Sequence, residues 1–113
     1  MKSKIISLSK NEDFKKILSG KKLSNKYSTI FFRKLSDKDN KKLNISFITK
    51  KKIGNAVNRN KIKRRLRNIM NDATKKININ FNYCYILIAR SSILKDSYEN
   101  IKETLFSEFK KIK

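Results

Sequence analysis

A chain of 113 residues has room for one domain, expected to span 1–113, and for no second independent core. Its 30 Lys plus Arg against 9 Asp plus Glu leave a formal charge of +21, and a compact body of that charge repels itself unless a polyanion is its partner. There is no His and a single Cys, so the commonest general base, the commonest metal ligand and an intrachain disulfide are all excluded.

Nucleic acid suits this charge better than a membrane surface. No run approaches the roughly 20 apolar residues of a spanning helix. The start, MKSKIISLSKNEDF, is too short and too interrupted by charge for a secretory signal. It lacks Arg and carries Glu12 and Asp13, unlike a mitochondrial targeting segment. Together with the lone Cys84 this predicts a cytoplasmic protein, with no membrane contact and no obligate protein partner.

In chain order, Ser9-Lys10-Asn11-Glu12 is a capping box, in which Ser9 and Glu12 satisfy each other's exposed amides at a helix start. Phe14, Ile17 and Leu18 follow as a short apolar stripe, and Gly20 ends the helix. Residues 27–34 (YSTIFFRK) are β-branched and aromatic and predict a strand. The turn LSDKDNKK leads to a second strand, Leu43 to Thr49 (LNISFIT), which alternates for part of its length. From about Ala56 to Lys76, Ile62, Leu66, Ile69, Met70 and Ala73 recur at helical spacing, while Asn60, Lys63, Arg64 and Arg67 gather on another side. Tyr83 to Ala89 (YCYILIA) is continuously apolar, the mark of a strand buried on both faces. A last helix from about Ser97 to Lys111 carries the stripe Tyr98, Ile101, Leu105 and Phe109, with Phe106 alongside. The residues alone thus give the order αββαβα, helices packed on a sheet.

The basic residues are not evenly informative. With 24 Lys, 16 Ile and 13 Asn, part of the Lys excess is a drift toward a few residue types. Arg is scarce, and four of its six occurrences (Arg59, Arg64, Arg65, Arg67) fall between 59 and 67. Its planar fork of donors matches phosphates and base edges as Lys does not. Lys50-Lys51-Lys52 precedes the cluster, and Asn58 and Asn60 lie within it, amides suited to base edges and sugar hydroxyls. A solvated charged face is the bland alternative. Tyr27, Phe14, Phe31 and Phe32 are core candidates first, yet Phe31 and Phe32 must point to opposite faces of their strand. The outward one, flanked by Arg33, would suit a single-stranded base. Catalytic groups are wanting: Cys84 sits in the most apolar strand, and the acids are scattered between a capping turn (Glu12, Asp13) and a loop (Asp37, Asp39).

The stretch KKIGNAVNRNKIKRRLRNIM, Lys51 to Met70, closely resembles the signature of the bacterial ribonuclease P protein component. Leu8 to Phe14 (LSKNEDF) and Ile86 to Arg90 (ILIAR) resemble that family's first helix and last strand, so the resemblance covers nearly the whole chain. It implies an α+β fold, a small two-layer αβββαβα sandwich of a ribosomal-protein-domain type with a left-handed βαβ crossover, an exception to the usual hand. The implied activity is endonucleolytic removal of the 5′ leader from precursor tRNA, with catalysis and Mg²⁺ in a separate RNA subunit and no cofactor held by the protein alone. The implied partners are that RNA subunit and precursor tRNA. Lys51, Lys52, Asn58, Arg59, Asn60, Lys61, Lys63, Arg64 and Arg67 would meet the RNA subunit. Lys61 stands where the family has a second Arg, keeping the charge and losing the fork. Phe14, Leu18, Phe31 and Arg90 would meet the leader, Leu18 replacing a second aromatic. The alternative is a basic ribosomal or nucleoid-type module with no role in cleavage. Membrane-surface binding by the last helix is weaker, because its basic residues form no clear polar face.

Overall fold

The computed structural model of the chain describes residues 5–8, 10–35 and 41–112. Its elements are β1 (Ile5–Ile6), α1 (Asn11–Leu18), β2 (Lys21–Ser24), β3 (Ser28–Lys34), β4 (Leu43–Ile48), α2 (Ala56–Lys76), β5 (Tyr83–Ala89) and α3 (Tyr98–Lys110). Short 3₁₀ turns stand at Lys51–Ile53 and Ser91–Leu94. After the two-residue β1, this is the αβββαβα order that the resemblance implies.

The strands form one mixed sheet in the order β1-β4-β5-β3-β2. β4 is parallel to both β1 and β5, while β3 is antiparallel to both β5 and β2. β5 is central, so it needs apolar side chains on both faces, which is why YCYILIA does not alternate. Tyr85 and Leu87 face one side, Cys84 and Ile86 the other.

On the first side lie α2 and α3, whose buried residues Ile62, Leu66, Ile69, Met70, Ala73, Ile101, Leu105 and Phe109 make the main core with Phe32 and Tyr85. Both helices are capped: Asn55 accepts from the Asn58 N–H at 2.9 Å, and Ser97 from the Asn100 N–H at 3.2 Å. Lys102 donates to Asp72 at 3.1 Å across the two helices. That bond holds the Asp72 carboxyl below, and the Lys102 ammonium above, its ordinary pKa.

On the second side stands only α1. Its Ile17 is sealed against Leu8, Cys84 and Ile86, while Phe14, Phe31, Ile48 and Ile88 remain half-buried around that small cluster. One helix of 8 residues cannot cover five strands, and part of this face stays open.

Some local expectations change. Helix α1 has Lys10 at its N-cap, whose own side chain makes no capping hydrogen bond; Ser9, the expected cap, lies outside the described residues, as do Asp37 and Asp39. Gly20 follows the C-cap Ser19 but without a positive φ. Its reason is proximity: a Cβ there would stand 2.7 Å from the Phe32 carbonyl oxygen, where the link to β2 crosses β3. Strand β2 is absent from the order αββαβα because KKLS has one apolar residue and no alternation to betray it.

Candidate nucleic-acid interface

Helical periodicity brings Asn60, Lys63, Arg64 and Arg67 to one flank of α2, and there they form one wall of a cleft of about 680 Å³. Phe14 of α1 and Ser46, Phe47 and Ile48 of β4 also line it. The Ser46 hydroxyl accepts from the Leu8 N–H at 2.9 Å, and Arg67 Nη2 donates to the Ser7 hydroxyl at 3.4 Å. Lys63 and Arg64 are exposed, and among the described residues no acid lines the cleft.

Three other residues of the basic motif lie off this wall. Asn58 is held by the cap of its own helix, with its side chain close over Gly54. Lys61 is exposed on another flank. Arg59 is half-buried, and its Nε is out of water with no hydrogen-bond partner.

Arg90 is not beside Phe14. It stands just past β5 in a second cleft of about 370 Å³, with Lys50, Lys52, Thr29 and Ile88. Its Nη2 donates to the Thr29 hydroxyl at 3.2 Å. Lys51, between the two lining lysines, is exposed and lines neither cleft.

Strand register joins the two clefts. Ile48 pairs with Ile88, and Ile88 with Thr29, so one row of side chains crosses three strands from the first cleft to the second. The adjacent row is Ser46, Ile86 and Phe31. Both rows lie on the face that α1 leaves partly open. The result is a trough with an apolar floor and cations at each end; Phe14 lines its first end, while Phe31, half-buried in the adjacent row beyond the sealed Ile86, lines neither cleft. Lys22 Nζ adds a cation 6.0 Å from the Phe31 ring centroid.

Thus the trough gathers Phe14 and Arg90, with Phe31 half-buried beside it, and neither Phe31 nor Leu18 lines a cleft. One turn beyond Phe14, Leu18 is 43% exposed and lines neither cleft. Arg33 is engaged elsewhere, donating to the Lys16 carbonyl at 3.3 Å and the Ser19 hydroxyl at 3.1 Å, where it caps the end of α1. Of the aromatics, Tyr27 and Phe32 belong to the main core. Ser46, Phe47 and Ile48 do not stand out from sequence as site residues; the alternation of LNISFIT places Ser46 and Ile48 on one face once the strand order is known. Cys84 is buried in the sheet, and the described residues contain no group of three or more His, Cys, Asp or Glu side chains able to hold a metal ion.

A family model described as Ribonuclease P matches residues 3–113. The chain belongs to the ribonuclease P protein family. It is 35% identical to the ribonuclease P protein component of Mycoplasma mycoides, across 100% of both chains. With the component from Carboxydothermus hydrogenoformans it shares 34% identity, over 94% of this chain and 90% of that one. The ribonuclease P fold is equally evident in three dimensions. The RNase P protein from Thermotoga maritima superposes with a TM-score of 0.80 at 28% identity, covering 96% of this chain and 98% of the other. That of Staphylococcus aureus gives 0.77 at 29%, covering 94% and 93%. Like them, this ribonuclease P protein is one component of a ribonuclease. Among its described residues no helix is long and apolar enough to cross a membrane.

Proposed function

We propose that the chain binds the RNA subunit of ribonuclease P and the 5′ leader of precursor tRNA, and so assists 5′ maturation of tRNA in the cytoplasm. The observation that carries this reading is the trough itself, a half-open apolar floor with aromatic side chains and cations at both ends. Single-stranded RNA needs both chemistries, because its phosphates are matched by Lys and Arg while unstacked bases are matched by aromatic and apolar faces. Leader bases lie along Phe31 and Phe14, and leader phosphates meet Arg90, Lys50 and Lys52. The exposed cations of α2, Lys63 and Arg64, with Arg67, hold the RNA subunit at the other end, next to Asn60, where an amide can accept or donate to a sugar or base edge. Lys51, Asn58, Arg59 and Lys61 extend that contact along the first turns of α2, whose free amides favour a phosphate.

Mg²⁺-dependent bond cleavage belongs in this reading to the RNA subunit, and the protein's own residues bind, orient and neutralise. The test is cleavage of precursor tRNA by a cognate RNA subunit at low Mg²⁺, with and without the protein. Stimulation by the protein, and no cleavage by protein freed of RNA, is the expected result. Robust Mg²⁺-dependent cleavage by the purified protein alone would overturn it. Equal RNA-subunit activity with and without the protein would favour a plain nucleic-acid-binding module.

A further inference from the structure

Arg90 owes its position to a set of contacts that the RNA-binding groups do not include. Its backbone N–H donates to the Tyr27 carbonyl at 2.8 Å, and its carbonyl accepts from the Ile93 N–H at 3.0 Å, so the main chain is pinned on both sides. Tyr27 is in turn held at both ends. Its N–H donates to the Asn25 side chain at 2.8 Å, and its hydroxyl donates to Asp96 Oδ2 at 2.5 Å. Asp96 is itself fixed, accepting from the Ser97 N–H at 2.8 Å and from Asn100 Nδ2 at 2.7 Å. Lys26 Nζ pairs with it at 3.5 Å, and the Ser92 hydroxyl donates to the Lys26 carbonyl at 2.5 Å.

The turn between β2 and β3 is therefore tied to the segment from Arg90 to the start of α3 by the Tyr27–Asp96 bond, joined by the Lys26–Asp96 pair, the Ser92–Lys26 bond and the Arg90–Tyr27 backbone bond. The Tyr27 ring is buried, so the turn cannot swing without uncovering it. Thr29, two residues on, receives the Arg90 guanidinium at 3.2 Å. Main chain and side chain of Arg90 thus both refer to the short stretch Tyr27–Thr29, where the turn enters β3. Neither Tyr27 nor Asp96 lines the trough.

We propose that Tyr27 and Asp96 are positioning residues for leader recognition: their hydrogen bond sets the place of Arg90 and Thr29 at the end of the trough. The inference rests on the assignment of Arg90 to the leader made above. A purely structural tie would lower the melting temperature and leave discrimination between precursor and mature tRNA unchanged. A positioning tie alters that discrimination in a protein that is still folded.

The experiment uses the protein assembled with its cognate ribonuclease P RNA, probed with precursor tRNA and with mature tRNA. Tyr27→Phe, Arg90→Ala and the double variant are compared below their melting temperatures, with Asp96→Asn as a second way of weakening the same bond. Arg90→Ala loses roughly ten- to a hundredfold in precursor affinity, the range of a charge-assisted contact. Tyr27→Phe loses roughly three- to tenfold, the range of a neutral hydrogen bond, with no change for mature tRNA. In the Arg90→Ala background the Tyr27→Phe loss disappears. A Tyr27→Phe or Asp96→Asn protein that discriminates like the wild type overturns the inference, as does a loss that persists unchanged in the double variant or is equal for mature tRNA. If Arg90→Ala itself loses nothing, the assignment of Arg90 to the leader fails and takes the inference with it. A loss in Arg90→Ala with none in Tyr27→Phe sinks the inference alone.

Discussion

Phe31 and Phe32 are neighbours in β3 that serve opposite faces of the sheet, Phe32 sealed in the core beneath α2 and α3 and Phe31 half-buried on the other face beside α1. Their alanine variants should therefore fail differently. Phe32→Ala removes a buried ring that meets Tyr83 and Tyr85 at centroid distances of 5.2 and 6.3 Å, and should cost about 3–5 kcal/mol of stability. Phe31→Ala should melt much closer to the wild type. Instead it should lose roughly 5- to 100-fold in affinity for precursor tRNA, the effect of one stacked base at about 1–3 kcal/mol, with mature tRNA unaffected. Thermal melts and binding on the two variants check this. A Phe31→Ala protein that melts like Phe32→Ala, with no leader-selective loss, would place that ring's role in packing.

Six cations line the two clefts: Lys50, Lys52, Lys63, Arg64, Arg67 and Arg90. If each meets one phosphate, binding to the RNA holoenzyme components should vary with salt at a log–log slope of about −4 to −5. Arg64→Ala or Arg67→Ala should flatten the slope for the RNA subunit by about one. Lys110→Ala, at the far end of α3, should leave it alone. Equal changes in all three variants would mean a diffuse charge cloud in place of a localised contact.

Gly20→Ala should destabilise the fold by about 1–3 kcal/mol, the usual cost of forcing volume into a packed site. The added methyl meets backbone, the Phe32 carbonyl oxygen at 2.7 Å, which cannot rotate away as a side chain would. Chemical denaturation reads the change, and a variant as stable as the wild type would show that the α1–β2 link shifts freely.

Asp96 should contribute to acid sensitivity. Hydrogen bonds from the Tyr27 hydroxyl first, then Asn100 and the Ser97 amide, hold its carboxyl well below the usual carboxylate range. A carboxyl depressed in the folded state stabilises fully above its unfolded pKa, about 3.9 for aspartate, and loses that contribution as pH falls below it. Melting temperature measured from pH 6 downwards should fall below about pH 4 in the wild type, and less steeply in Asp96→Asn. Identical acid limbs would show that other carboxylates govern the transition.

The long, regular signals were the legible ones. YCYILIA and the 21-residue helix from Ala56 to Lys76 emerge where periodicity and burial agree. Strand β2 and the two-residue β1 were not readable from their residues, because an exposed edge needs hydrogen-bond partners more than apolar side chains, and partners are not local information. The same holds for the trough. Its cations and aromatics stand out in sequence, but the junction of Phe14 with Arg64, and of Arg90 with Lys50, depends on the order in which strands lie side by side. Leu18, which stands where the resemblance has a second aromatic, is exposed one turn beyond Phe14, a placement that only the helix geometry supplies.

The strand order also fixes when the protein can exist. β3 and β4 do not touch each other; each waits for β5, made after both, to slot between them. Ser28 pairs with Ala89 across more than half of the chain. Until the ribosome has released residues beyond Ala89, the nascent chain holds two strands with bare inner edges and no means of joining them, so sheet formation is expected to be late, cooperative and slower than in a helical protein of this size. A growing chain rich in lysine, kept open for that interval, is protected from pairing with its neighbours chiefly by its own charge.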